Sequence, residues 1–165
     1  MFRFAREQLK PIDVPFWSRG APLPHIMAND DALVFGYVLR EEDDGPSIAP
    51  RVVSGFEEAV CAVVIVPSCW GMRFGPPNEE ALRGHRLYRS GLKPYRAFEV
   101  CGSAWIREME RQNRVHPSHD RALFQALRHF IFVFHDTTLE FATKELPAPK
   151  IMTGPVGSLV SAAFD

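Results

Sequence analysis

The densest run of side chains able to move protons is His135-Asp136-Thr137-Thr138-Leu139-Glu140, with His129 shortly before it. A histidine beside a carboxylate can act as a general base, because the carboxylate fixes its tautomer and stabilises the charged imidazole. The pattern nominates His135 as acid/base, assisted by Asp136 or Glu140. Neighbours on a strand point to opposite faces, so His135 and Asp136 share a pocket only if a turn redirects one of them. Asp136 also has a purely structural reading, as a turn residue bonded to its own backbone.

Residues 67–94 form a second source of chemistry, punctuated by Pro67, Gly71, Gly75, Pro76, Pro77, Gly84, Gly91 and Pro94. An irregular stretch this long inside a domain is functional or unusually well packed. Trp70, Phe74, His85 and Tyr88 supply aromatic walls with polar tips, the material of a small-molecule pocket; Arg73 and Asn78 join Trp70, Phe74 and Tyr88 as candidate ligand-binding residues, and His85 could assist His135. Cys69 would need His85 or His135 nearby to serve as a nucleophile. A packed Ω-type loop is the competing structural reading. Neither G-x-x-x-x-G-K-S/T nor G-x-G-x-x-G occurs, so neither of these phosphate-binding loops is present.

Two further groups carry weaker signals. His116-Pro117-Ser118-His119-Asp120 places two histidines three apart, but a metal would need them on one helical face, and Pro117 stands between them. With no H-E-x-x-H and no cysteine pair, neither metal nor cofactor is expected. Arg83, Arg86, Arg89, Lys93 and Arg96, interleaved with Tyr88 and Tyr95, could hold an anion or single-stranded nucleic acid. Against nucleic acid stands the balance of 19 basic and 20 acidic residues, with a pI near 6.6. A solvated basic face, or one paired with the acidic run Glu41–Asp44, explains the arginines more simply.

The elements that must position these groups follow from apolar patterning. A chain of 165 residues suits one domain with a core of its own. No apolar run approaches the roughly 18–20 residues that cross a bilayer, so no membrane association is expected. Strands are expected at Leu33–Leu39, Ala59–Val66, Tyr95–Val100, His129–His135 and Thr138–Thr143, the last two as a hairpin. Ser103 should cap a helix from Ala104 to about Asn113, and Ser118 a shorter one to about Leu127. This order breaks βαβ alternation and predicts an α+β fold: a single, mostly antiparallel sheet with two or three short helices on one face.

Both ends read differently. Residues 1–29 hold Pro11, Pro15, Pro22 and Pro24 among Phe2, Phe4, Phe16 and Trp17. Residues 146–165 are rich in proline and glycine and nearly uncharged. These are expected as an arm and a tail flanking a domain over 30–145, too broken for regular structure yet too apolar to float. Three cysteines, Cys61, Cys69 and Cys101, without a C-x-x-C pair, fit a reducing compartment. The start of the chain lacks a signal-peptide apolar stretch, so the cytoplasm is the expected location.

Arg128–Glu140, with its R-H-F-I-F-x-F-H-D-x-T-x-E pattern, resembles a segment that recurs in small bacterial proteins of unassigned function. Phe74–Leu82, Gly84–Tyr88 and Ser103–Ile106 are similar to companion segments, so the resemblance spans residues 60–145 and leaves the ends outside. It implies a bacterial, single-domain protein and carries no activity with it. The leading expectation is a non-catalytic binding or interaction protein whose apolar arms dock on a protein partner or another copy. The alternatives are a small enzyme with its pocket between 67–94 and 129–140, and an anion or nucleic-acid binder using Arg83–Arg96. Whether the chain is an enzyme stays open at this stage.

Overall fold

The computed structural model describes residues 6–39 and 58–165. The acidic run at 41–44, Phe2 and Phe4 lie outside them.

Residues 128–134 read Arg-His-Phe-Ile-Phe-Val-Phe, and their alternation sends three phenylalanines to one face and His129, Ile131 and Val133 to the other. They build β7 (Arg128–Val133), which pairs with β8 (Thr138–Thr143) as a hairpin, Val133 opposite Thr138. With β1 (Gln8–Pro11), β5 (Gly71–Gly75) and β6 (Ala97–Cys101) they form an antiparallel sheet in the order β1-β6-β7-β8-β5. A second antiparallel sheet, in the order β2-β3-β4-β9, contains β2 (His25–Ala28), β3 (Leu33–Val38), β4 (Val60–Val66) and β9 (Lys150–Thr153).

The expected single sheet is therefore two sheets. Phe35 and Tyr37 of β3 face Phe132, Phe134 and Phe141 of the other sheet, and all five are buried. Phe35 meets Phe132 edge-on at 5.1 Å between ring centroids, and Tyr37 lies 5.7 Å from Phe134. Covering each such ring contributes about 1.5–3 kcal/mol, and only another sheet's aromatic face covers this many at once.

The two outer faces are covered by different means. Helix α3 (Val156–Phe164) lays Val156 and Val160 over Val34, Cys61 and Val63 of the four-stranded sheet. Its approach requires Gly36, where a Cβ would stand 2.8 Å from Val160 Cγ2 and 3.2 Å from the Ala62 carbonyl oxygen. Over the five-stranded sheet, Leu82, Leu87 and Leu92 pack on Phe98, Val100, Ile131 and Val133. Helix α1 (Ala104–Asn113) adds Trp105, whose ring meets that of His129 at 5.1 Å. The helices thus lie on opposite outer faces rather than on one.

Both ends are built into these layers. β1 pairs with β6, Trp17 is buried against Tyr37 and Phe134, and the Tyr37 hydroxyl donates to the Pro15 carbonyl. The tail contributes β9, paired with β4, and then α3. Stretch 67–94 contains β5 and two single turns of 3-10 helix, at 82–84 and 88–90. Ser103 caps α1 as expected, its Oγ accepting from the Ile106 N–H at 3.1 Å. Helix α2 (Arg121–Gln125) starts later than expected, because Asp120 rather than Ser118 accepts the capping N–H, from Ala122 at 2.8 Å. Tyr95 cannot open β6 as expected, since its φ of +56° is incompatible with a strand.

Candidate functional site

The β7–β8 hairpin positions two polar groups. Along β8, Glu140 faces the same side as Ile131 and thus points toward the layer over the five-stranded sheet. At the tip, after Phe134, the chain turns, and the Phe134 N–H donates to the Thr137 carbonyl at 2.9 Å. His135 and Asp136 are displayed there, half-buried and exposed respectively.

Glu140 is 5% exposed and surrounded by donors. Oε2 lies 2.9 Å from His129 Nε2 and is bonded by the Arg86 guanidinium, while Oε1 lies 3.7 Å from His85 Nε2. The other nitrogen of each ring is engaged as well. His85 Nδ1 accepts from the Leu87 N–H at 3.2 Å, and His129 Nδ1 is 2.9 Å from the Ser103 hydroxyl. His85 therefore has Nε2 left to donate toward Glu140. The His129 contact is a close one, although among the described residues Nε2 has no hydrogen-bond partner. Burial by itself would push the Glu140 carboxyl up; His129, His85 and Arg86 outweigh it and hold the group well below the usual carboxylate range. Arg86 also reaches Glu7 of the N-terminal arm at 2.9 Å, and Glu7 accepts the Ala104 N–H at 2.8 Å.

Ser103, His129 and Glu140 form a hydroxyl–imidazole–carboxylate chain, the order used in nucleophilic catalysis. Here it has no room to act. Ser103 Oγ is engaged by the Ile106 N–H, the neighbouring Ala104 N–H is given to Glu7, and His129 is fully buried. The arrangement saturates a buried charge.

The tip group is built differently. The Tyr95 hydroxyl is 2.6 Å from His135 Nδ1, with the two rings stacked at 25°. Glu79 Oε2 lies 3.8 Å from the same Nδ1, and Asp136 Oδ1 lies 3.8 Å from Nε2. Burial, reinforced by the Glu79 carboxylate, pushes the Tyr95 phenol up, so it stays protonated and can donate. A carboxylate thus stands at equal distance from each ring nitrogen, Glu79 at Nδ1 and Asp136 at Nε2. Beside this group opens a cleft of about 310 Å3 lined by Gly20–His25 of the arm and by Phe74, Asp136 and Thr137. Thr137 Oγ1 is buried without a hydrogen-bond partner among the described residues. Backbone strain marks both flanks, with φ at +42° for Leu23 and +56° for Tyr95, and such strain concentrates at functional sites.

The structure thus brings His85 to Glu140 and His135 to Asp136, as two separate networks among the described residues. Of the pocket residues expected from sequence, only Phe74 lines the cleft. Trp70 packs edge-on against Phe124 at 5.5 Å, Arg73 lies 4.3 Å over the Trp105 ring, Asn78 accepts from the Ala81 N–H, and Tyr88 sits on a half-exposed 3-10 turn. Burial raises the Cys69 pKa, and its Sγ donates to the Gly71 carbonyl, an environment unlike that of a thiolate nucleophile. His119 is held by Asn113 at 2.9 Å and Glu110 at 3.1 Å, and no three metal-ligating side chains converge among the described residues. Of the basic run, Arg86 is spent on carboxylates and Arg96 lies 5.3 Å over the Phe16 ring. Sequence reasoning missed Tyr95, Glu79, Ser103 and Glu7 as members of these networks; only Ser103 carried a signal, as the helix cap.

Compared with family models, curated proteins and solved structures, the chain matches none.

Proposed function

We propose that the protein is a non-catalytic binding protein whose ligand is a small molecule held in the cleft at the hairpin tip. The observation that carries this is the 2.6 Å Tyr95–His135 contact beside the cleft. It fixes the orientation of the His135 imidazole against the Tyr95 ring. That fits recognition, where rigid polar groups set orientation and apolar walls supply affinity.

Of the apolar residues in the two ends, Trp17, Val156 and Val160 are sheltered by the chain's own sheets, while Phe16, Ile151 and Met152 stay exposed. The cleft lies at the small end of ligand-site volumes, which begin at about 300 Å3. A fragment library screened by backbone amide NMR tests the reading. Binders are expected to move the signals of Leu23, Phe74, Asp136 and Thr137 and to lose affinity in Phe74→Ala. Binders that all cluster elsewhere, such as around Trp70, would refute it.

A further inference from the structure

The chemistry lining the cleft selects among ligands. Asp136 presents a carboxylate whose side chain is 79% exposed, at the mouth of the cleft. Phe74 offers a ring that is 44% exposed. His25 uses Nδ1 to donate to the Leu23 carbonyl at 2.9 Å, so in its neutral form the other ring nitrogen is an acceptor. Thr137 Oγ1 lacks a partner among the described residues. The remaining lining, Pro22, Leu23 and Pro24 with Gly20 and Ala21, is apolar or backbone. Of the charged groups around the tip, Glu79 adds a second carboxylate beyond His135, and Arg19 is the opposing cation felt by Tyr95.

We infer that the cleft takes a small organic ammonium compound: an apolar body against Phe74 and the proline wall, with a protonated amine at Asp136. The inference rests on the cleft being the binding site. A carboxylate and an aromatic ring lining one cleft suit a cation twice over, through charge and through the negative ring face. Asp136, the carboxylate of this lining, repels an anionic ligand.

Three probes of similar size separate the possibilities: 2-phenylethylammonium, 2-phenylethanol and phenylacetate, each titrated into the full chain and followed by amide shifts. The ammonium probe should move Leu23, Phe74, Asp136 and Thr137 and bind at least ~10-fold more tightly than the alcohol, a difference of about 1.4 kcal/mol. Phenylacetate should leave those signals in place. Asp136→Asn should abolish the preference for the amine while sparing the alcohol. If phenylacetate binds the cleft as well as the amine, or Asp136→Asn keeps the preference, the ligand class is wrong and the site stands. If no probe moves any of the four signals, the inference fails together with the site.

Discussion

Glu140 and His135 share one hairpin, yet their surroundings have opposite aims. The polar groups described around Glu140 gather at a buried charge: two imidazoles, a guanidinium and, through Ser103 and Glu7, a helix start. Around His135 the polar atoms are fixed but not used up; Asp136 stays exposed and Thr137 Oγ1 is unpartnered among the described residues. A network closed around a buried charge stabilises, whereas an oriented one that reaches the surface can recognise. Titratable residues near one another in sequence are therefore poor guides to a site until burial divides them.

The contrast can be broken most directly at Glu140. Glu140→Gln leaves His85, His129 and Arg86 without their common anion, and breaking a buried pair of this kind costs about 3–5 kcal/mol. Urea denaturation should show that loss, while the cleft should bind its probes unchanged. A loss below ~1 kcal/mol would mean the network is not what holds this layer.

The second effect is that stabilisation read by pH. The folded carboxyl is held below its unfolded value, so its contribution is present above about pH 4.3 and is lost as pH falls below that toward the folded value. Wild-type urea midpoints should drop steeply between roughly pH 5 and 3, and the Glu140→Gln midpoints less steeply. Parallel curves would contradict the assignment.

Smaller effects sharpen the division. Glu7→Gln weakens the bonds to Arg86 and Ala104 and should cost about 0.5–1.5 kcal/mol by the same assay. At the tip, Tyr95→Phe and Asp136→Asn should each stay near or below ~0.5–1 kcal/mol in stability, as exposed or half-exposed polar changes do. Both should nevertheless weaken ligand binding. Asp136→Asn as destabilising as Glu140→Gln would erase the distinction between the two regions.

How far these features were legible depends on whether their signals are local. The β7–β8 hairpin and α1 were readable because Phe130, Phe132 and Phe134 alternate and because Ser103 precedes a helical stripe. β5 was hidden because Gly71 and Gly75 bound it and read as loop punctuation. β9 was hidden because all four of its residues are exposed, leaving no alternation to see. Helix α3 starts directly after Gly154-Pro155, which reads as a break, although proline is well suited to a helix entrance. The separation into two sheets is a property of which aromatic faces meet, and no single strand encodes that. In the same way His85 and Glu140 were nominated by residue type, but their pairing depends on how 78–92 folds over the sheet. Tyr95 joins His135 only through a left-handed backbone conformation that its sequence does not announce.

The four-stranded sheet has a consequence for how the chain matures. β4 lies between β3 and β9, and its outer face is closed by α3, so this half waits for residues 150–164 to leave the ribosome. Strands β6, β7 and β8 are complete at Thr143, just before β9 and α3 are made, and β7's aromatic face stays bare until it docks on Phe35 and Tyr37 of the finished sheet. Synthesis therefore leaves an interval in which a sticky half-sandwich is present, and chaperone demand or aggregation during expression should concentrate there.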